Sequence, residues 1–214
     1  NNLSTVRTST INVTPVNDAP VVDTNATVNL TTILEDAAAP TNGNTTAGQK
    51  VSALLGAVTD ADSSNLGMAI TGIGGSGNLY YSTDGGNTWQ TVDRTTITSS
   101  NALLLDGNSR IYIKPDANFN GFKDGALWYR AWDQSNAGSV GSFVDVGASG
   151  SALNGGSTAY SSGFGKLGLT VTAVNDAPTN TVPSAQTSIA EDGSRVITSL
   201  QIADLDITPT TLGT

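Results

Sequence analysis

Three short motifs occur twice along the chain in the same order, and this repetition limits the possible folds more than any other feature. The motifs are Asn-Asp-Ala-Pro, then Glu-Asp, then Asp-x-Asp. They begin at Asn17, Glu35 and Asp60 in the first copy and at Asn175, Glu191 and Asp204 in the second. The separation of Asn17 from Asn175 gives a period of 158 residues. Ordered recurrence of this kind indicates a tandem repeat.

The repeat divides the chain into three parts. Residues 1–18 are predicted to be the last strand of a preceding repeat. Residues 19–176 are predicted to form one complete repeat, and residues 177–214 the incomplete start of a following one. A strand without its sheet leaves backbone groups unpaired. We therefore expect the two end pieces either to be mobile or to pair with something else.

The pattern of apolar residues predicts an all-β fold. Residues 110–114 alternate, with Ile111 and Ile113 on one face, and residues 126–132 alternate in the same way. Further strands are predicted at Val28–Ile33, Gly67–Ile73, Leu79–Ser82, Thr88–Val92 and Lys166–Val174. No segment has a sustained helical period. Short strands separated by turn residues favour a Greek-key β-sandwich.

Composition excludes several classes of function. The chain has 18 acidic and 9 basic residues, a net charge of −9, which is unsuited to nucleic-acid binding. It contains no Cys and no His, so a disulfide framework, a thiolate zinc site and a Ser-His-Asp triad are excluded. No acidic pair stands apart from the repeated motifs, and we predict that the chain is not an enzyme. No apolar stretch approaches the ~18 residues of a membrane span, so no membrane insertion is expected.

Some of these motifs resemble the cadherin family. The segment from Val58 to Asn65 resembles the cadherin loop Asp-x-Asp-Ser-Gly-x-Asn, with Ser64 near the usual Gly. Asn-Asp-Ala-Pro resembles the cadherin inter-repeat linker. The segment from Pro115 to Gly121 is similar to a turn common in bacterial cadherin-like repeats of giant secreted adhesins. The resemblance implies a cadherin- or immunoglobulin-like sandwich from an RTX-type surface adhesin.

The resemblance does not extend to the middle of the repeat. A simple sandwich of this kind needs roughly 100 residues, and the repeat is longer. Residues 72–109 and the Gly-rich residues 138–165 are therefore predicted to be insertions or elaborated edge strands.

The resemblance also implies a cofactor, Ca²⁺, held at the junctions between repeats. Ca²⁺ takes 6–8 oxygen ligands from carboxylates, amides and carbonyls, and both Asp-x-Asp and Asn-Asp-Ala-Pro supply them. The ligands implied for the first junction are Asn17, Asp18, Asp60, Asp62 and Asp133. Those implied for the second are Glu35, Asp116, Asn175, Asp176, Asp204 and Asp206.

Strand direction explains why Glu35 is assigned to the second junction although Asp60 is closer in sequence. A strand of about ten residues spans over ~30 Å, the length of a sandwich. Glu35 would end one pass along the sandwich, and Asp60 would end the return pass. Residues 37–48, absent from the second copy, are expected to form a loop at the Glu35 end.

Three local signals have a structural and a functional interpretation. Asp116–Asp124 fits part of a Ca²⁺-binding loop but is more typical of a turn. Ser82–Trp89 matches an Asp-box, which in a single copy predicts a hairpin whose Asp bonds its own backbone. Four aromatic residues are candidates for a sugar-stacking platform, although packing is the stronger interpretation. They are Trp128, Trp132, Tyr80 and Tyr81.

The expected function is that of a structural extender. The repeat would be one unit of a large secreted or bacterial cell-surface adhesin, stiffened by Ca²⁺ between neighbouring repeats of the same chain. The alternative is a ligand-binding module of the same adhesin, with a carbohydrate or a protein as the ligand.

Overall fold

The protein is described here from a computed structural model, which covers residues 7–75, 77–181, 188–196, 201–204 and 206. This part of the chain is nearly all β, with one short 3-10 turn at Val51–Leu54. The strands are β1 (Val21–Val22), β2 (Val28–Asn29), β3 (Ile33–Leu34), β4 (Gln49–Lys50), β5 (Val58–Thr59), β6 (Gly67–Ile73), β7 (Gly77–Ser82), β8 (Gln90–Val92), β9 (Ala102–Asp106), β10 (Arg110–Pro115), β11 (Gly121–Trp132), β12 (Phe143–Val144), β13 (Gly165–Thr172), β14 (Thr179–Thr181) and β15 (Gln201–Ala203).

Two sheets pack face to face. The larger has the strand order β12-β9-β6-β11-β13-β2, with β3 also paired to β13, and the smaller has the order β4-β10-β7-β8. Strands β2 and β3 run parallel to β13, and the other pairs are antiparallel. The predicted all-β sandwich is confirmed. The Greek-key, cadherin- or immunoglobulin-like detail stays a prediction.

The main core lies between the sheets and follows from the alternation of side chains along each strand. Met68 and Ile70 from the large sheet and Leu79, Ile111 and Ile113 from the small sheet are all at most 3% exposed. Burying apolar surface of this kind is the main stabilising term in folding. The predicted alternation of residues 110–114 is confirmed.

A second core covers the outer face of the large sheet. Leu104 of β9 and Trp132 of β11 point away from the main core and pack with Val146 and Tyr160, which follow β11. The Gly-rich residues 138–165 therefore form a covering layer over this face, apart from β12, which is an edge strand of the large sheet. Residues 72–109 supply β7, β8 and β9, which are regular members of the two sheets.

Arg130 anchors this covering layer. The side chain is fully buried, and its Nη1 donates to the carbonyl oxygens of Ser161 (2.7 Å) and Ser162 (2.6 Å). Its Nη2 donates to the carbonyl oxygen of Gly147 (3.2 Å), and the guanidinium lies 3.9 Å from the ring centroid of Phe164. Hydrogen bonds to a charged donor are stronger than neutral ones. The three hydrogen bonds of Arg130 attach two parts of the covering layer to β11.

The hairpin between β7 and β8 has the predicted local structure. Asp84 Oδ1 accepts hydrogen bonds from the Thr88 backbone N–H (2.9 Å) and the Ser82 hydroxyl (2.8 Å). Its Oδ2 accepts one from the Thr88 hydroxyl (2.7 Å). These bonds, led by the one from the Thr88 hydroxyl, lower the pKa of Asp84 to about 2. The structural interpretation of this motif is confirmed.

The lowered pKa of Asp84 predicts a pH-dependent contribution to stability. Its folded pKa of about 2 lies below the unfolded value of 3.8. The contribution is therefore fully present above pH 3.8 and is lost as pH falls towards 2. We expect Asp84→Asn to lower the urea midpoint at pH 7 and to approach the wild type as pH falls below about 2. An equal deficit at both pH values would contradict this account.

The two copies of the motif set begin with the same strand pairing. In the first copy β1 pairs with β5, with Val21 opposite Thr59. In the second copy β14 pairs with β15, with Thr179 opposite Ala203. Val21 and Thr179 each follow the first residue of Asn-Asp-Ala-Pro by four positions, and Thr59 and Ala203 each directly precede Asp-x-Asp. Within residues 177–214, the described residues do not include 182–187, 197–200, 205 and 207–214.

The segment that precedes the first linker forms no strand within residues 7–18. Ile11 and Val13 are 84% and 85% exposed. Their equivalents one period later, Leu169 and Val171, are buried in β13. The strand predicted for residues 1–18 therefore has no pairing in this part of the chain, and residues 1–6 are outside the described residues.

Candidate metal centres at the two ends of the sandwich

Glu35 is a buried carboxylate at the end of the sandwich where β13 finishes. Its backbone N–H donates to the carbonyl oxygen of Thr172 (3.0 Å), which fixes its position beside that strand, and the residue is 4% exposed. Oε1 accepts from the Val174 backbone N–H (2.6 Å), and Oε2 accepts from Asn120 Nδ2 (3.1 Å). These two bonds lower the pKa of Glu35, the one from Val174 more strongly. Glu35 is thus held as a carboxylate.

Two further carboxylates converge on Glu35. Glu35, Asp176 and Asp206 each place one oxygen within 4.8 Å of the others. The backbone N–H of Asp176 donates to Asp206 Oδ2, and the backbone N–H of Asp206 donates to Asp204 Oδ1 (3.0 Å). The cluster therefore joins the end of β3, the linker after β13 and the loop after β15. These are residues that sequence reasoning assigned to the second junction.

Burial and neighbouring like charges both disfavour the ionised form of Asp176 in this cluster. Burial raises the pKa of Asp176, and so do the neighbouring carboxylates of Asp206, Asp36, Glu35 and Asp204, in decreasing order. Sequence reasoning did not include Asp36 among the site residues. Asp36 directly follows Glu35 in the repeated Glu-Asp motif, and this position could have indicated that it lies near the site.

Hydrogen bonds in the first linker reproduce those of the second. The backbone N–H of Asp18 donates to Asp62 Oδ2 (2.7 Å), and that of Asp62 donates to Asp60 Oδ1 (2.8 Å). Asn17 Nδ2 donates to the Asp18 carbonyl oxygen (3.2 Å), as Asn175 Nδ2 donates to that of Asp176 (2.9 Å). The two linkers thus share one local geometry.

The first linker is also attached to the residue after β11 and to the covering layer. Asn17 Nδ2 donates to Asp133 Oδ2 (2.8 Å) and to the carbonyl oxygen of Thr158 (3.2 Å). Asp133 is 3% exposed, and its Oδ1 accepts from the Ser135 backbone N–H (2.7 Å). All five residues predicted for the first junction therefore lie at one end of the sandwich.

One carboxylate oxygen at this end has no hydrogen-bond partner. Asp60 Oδ2 is buried and accepts no hydrogen bond, whereas Asp60 Oδ1 accepts two, from the backbone N–H groups of Asp62 and Ser63. A buried polar atom without a partner carries a desolvation cost. A cation would satisfy this oxygen.

Asp116 is paired with a cation and is not one of the three carboxylates that converge at Glu35. Its Oδ2 accepts from Arg94 Nη1 (3.0 Å), and its carbonyl oxygen accepts from the Phe119 backbone N–H (3.2 Å) in a turn. Asn118 adopts a positive φ of 58° within that turn. The residue of this motif that reaches the site is Asn120, through Glu35. The assignment of Asp116 to the second junction stays a prediction.

No family model, curated protein or solved structure matches this chain. In the described residues, no helix is long and apolar enough to span a membrane. The kind of ion that the site could bind is therefore inferred from its own ligand atoms. Carboxylate, amide and carbonyl oxygens are ligands for hard cations such as Ca²⁺ and Mg²⁺, and the sites contain no nitrogen or sulfur ligand from His or Cys.

Proposed function

We propose that this chain is a calcium-stiffened extender repeat of a large secreted or bacterial cell-surface adhesin. The observation that carries the proposal is the convergence of Glu35, Asp176 and Asp206 within 4.8 Å. These residues come from the sandwich, from the linker that leaves it and from the next copy of the motif set. An ion bound to all three would tie the two repeats together.

Charge explains why the link would depend on the ion. Three carboxylates at this separation repel one another, and partial burial strengthens the repulsion. Ca²⁺ offsets two of the three negative charges and replaces the repulsion with shared coordination. It also suits sites of irregular geometry, since it accepts 6–8 oxygens at 2.3–2.6 Å. Mg²⁺ fits less well, because it demands near-ideal octahedral geometry.

The repeated geometry of the two linkers supports a serial arrangement. Asp18 and Asp62 make the same contact at the first linker that Asp176 and Asp206 make at the second. A sandwich with an equivalent linker at each end is suited to stacking end to end, with neighbouring repeats as its partners. For a secreted or surface-exposed repeat, we expect calcium binding in the 10⁻⁴–10⁻³ M range of extracellular modules.

Calcium is expected to raise the melting temperature of the protein. A ligand that binds only the folded state stabilises it by about 2.7 kcal/mol per independent site at 100 times its Kd. For a chain of this size, that corresponds to roughly 5–10 °C. The measurement is a thermal melt in excess CaCl₂ and in EGTA, with MgCl₂ as a third condition.

Two variants make this melt specific to the cluster. Asp206→Asn is expected to lose the part of the shift that comes from the second junction. Asp124→Asn is the matched control, because Asp124 is an exposed carboxylate on β11, outside both clusters. Equal melting temperatures in CaCl₂ and EGTA would contradict the proposed function.

The ligand-binding alternative is favoured by a separate observation. Trp132 and Tyr81 are buried, as packing predicts, but Trp128 is 43% exposed. An extender and a ligand-binding surface can coexist on one repeat.

A further inference from the structure

Trp128 differs from the other two tryptophans of the chain. The indole N–H of Trp89 donates to the Asn44 carbonyl oxygen (3.1 Å), and that of Trp132 donates to Asn136 Oδ1 (2.9 Å). The indole N–H of Trp128 has no acceptor within the described residues, and the side chain is 43% exposed. An exposed large aromatic ring with a free donor is suited to binding a ligand.

The backbone around Trp128 is shaped to leave room for the indole. Its strand is irregular on both sides, with a register shift between Lys123 and Leu127 against β13 and another between Trp128 and Tyr129 against β6. Bulges of this kind re-aim side chains. The indole packs over Gly125, which has a φ of +65°, and a Cβ there would lie 2.9 Å from the ring.

The neighbouring strand also leaves space. Gly72 of β6 lies opposite Trp128, and a Cβ there would meet the Trp128 side chain at 3.6 Å. An open cleft is lined by Thr71, Gly72, Ser99, Trp128 and Phe164, and Thr71 and Ser99 each carry a hydroxyl group. Neither of these two hydroxyl groups has a hydrogen-bond partner in the part of the chain that the structure describes. The residues that line this cleft therefore carry three polar groups that have no partner in the described part of the chain.

The charges around the cleft favour a neutral ligand. Lys166 lies opposite Trp128 in the sheet, but its ammonium is paired with Asp124 Oδ2 (2.6 Å). The Arg130 guanidinium is buried against Phe164. With these cations occupied and a net charge of −9, the surface offers little attraction to an anion.

We propose that this cleft binds a neutral pyranose sugar. The apolar C–H face of the ring stacks on the Trp128 indole. The sugar hydroxyls hydrogen-bond to the indole N–H and to the hydroxyls of Thr71 and Ser99. The cleft is open, so a sugar within a longer glycan fits as well as a free one. Binding does not require the metal clusters, because Trp128 lies in the middle of β11, away from both linkers.

The three indole N–H groups provide a direct readout. In a ¹⁵N-labelled protein each tryptophan gives one indole signal, and Trp128→Phe identifies the signal of residue 128. The probes are methyl β-D-galactopyranoside, methyl α-D-mannopyranoside and N-acetylglucosamine, with sialyllactose as an anionic comparison. We expect at least one neutral sugar to shift the Trp128 signal saturably in the millimolar range, equally in CaCl₂ and EGTA. The Trp89 and Trp132 signals should not move.

Two variants test whether the indole itself binds the sugar. Trp128→Ala is expected to weaken binding at least tenfold, followed by sugar proton signals, while Trp128→Phe keeps part of the affinity. Phe143→Ala is the matched control, because Phe143 is 42% exposed on a different strand. The proposal is overturned if no neutral sugar shifts the Trp128 signal, if sialyllactose binds more tightly, or if Trp128→Ala binds as well as the wild type.

Discussion

Replacing Trp132 with alanine is expected to destabilise the protein by about 3–5 kcal/mol, the usual cost of removing a large buried aromatic ring. Trp132 is 1% exposed and packs in the second core with Leu104 and Tyr160. Its indole N–H also donates to Asn136. The substitution would therefore leave a cavity beneath the covering layer. Urea-induced unfolding at pH 7 measures the loss.

Trp128→Ala is the matched control for this prediction. Trp128 lies on the same strand and the same face of the sheet, but it is 43% exposed. Its replacement should cost less than about 1 kcal/mol, as expected for a surface position. Similar losses for the two variants would mean that residues 138–165 do not form a packed layer over the sheet.

The second large effect is expected at the metal clusters. Glu35→Gln should weaken Ca²⁺ binding at the second junction by about tenfold or more, because ligand charge sets calcium affinity. Asp62→Asn should do the same at the first junction. Each variant should leave the other junction intact, since Glu35 groups with Asp206, and Asp62 contacts Asp18. Calorimetric Ca²⁺ titration of both variants measures the two affinities.

The double variant separates the two junctions. If Glu35 and Asp62 serve different ions, the losses in binding free energy should add, as they do for distant, independent sites. A strongly non-additive result would mean that both residues bind the same ion. In that case the cadherin-like strand directions would be wrong, even if the calcium assignment were right.

Strand β10 was predicted from the sequence because one of its faces is buried and the other is partly exposed. In β10, Ile111 and Ile113 alternate with partly exposed residues, so the period is visible. Strand β9 was missed because its apolar residues are consecutive. Leu103 and Leu105 face the main core, while Ala102 and Leu104 face the second core. The alternation of apolar and polar residues disappears when both faces of a strand are covered. The sequence of residues 138–165 has no pattern that predicts that this segment covers the sheet.

The grouping of the acidic residues by end was predictable, but their individual partners were not. The strand directions implied by the resemblance to cadherin repeats place Glu35 with Asp206 and away from Asp62, and Glu35 does lie beside Asp206. The pairing of Asp116 with Arg94 depends on the tertiary approach of two loops. Nothing in the spacing of these residues indicates it.

The path of residues 37–48 was predicted wrongly for a related reason. The loop expected at the Glu35 end extends to the other end of β10. Gly43 N–H donates to the Asn87 carbonyl oxygen (2.9 Å) in the β7–β8 hairpin. Arg110 binds the carbonyl oxygens of residues 46–48 at the start of β10. These contacts between distant parts of the chain give no local sequence signal.

Anomalous diffraction from crystals grown with CaCl₂ tests the central claim most directly. The account predicts an anomalous peak among Glu35, Asp176 and Asp206, with carboxylate oxygens at the 2.3–2.6 Å distances of bound calcium. The peak should be absent in crystals of Glu35→Gln at the same calcium concentration and present in those of Asp124→Asn. A wild-type crystal without a peak at this cluster, at a calcium concentration well above the millimolar range, would contradict the account.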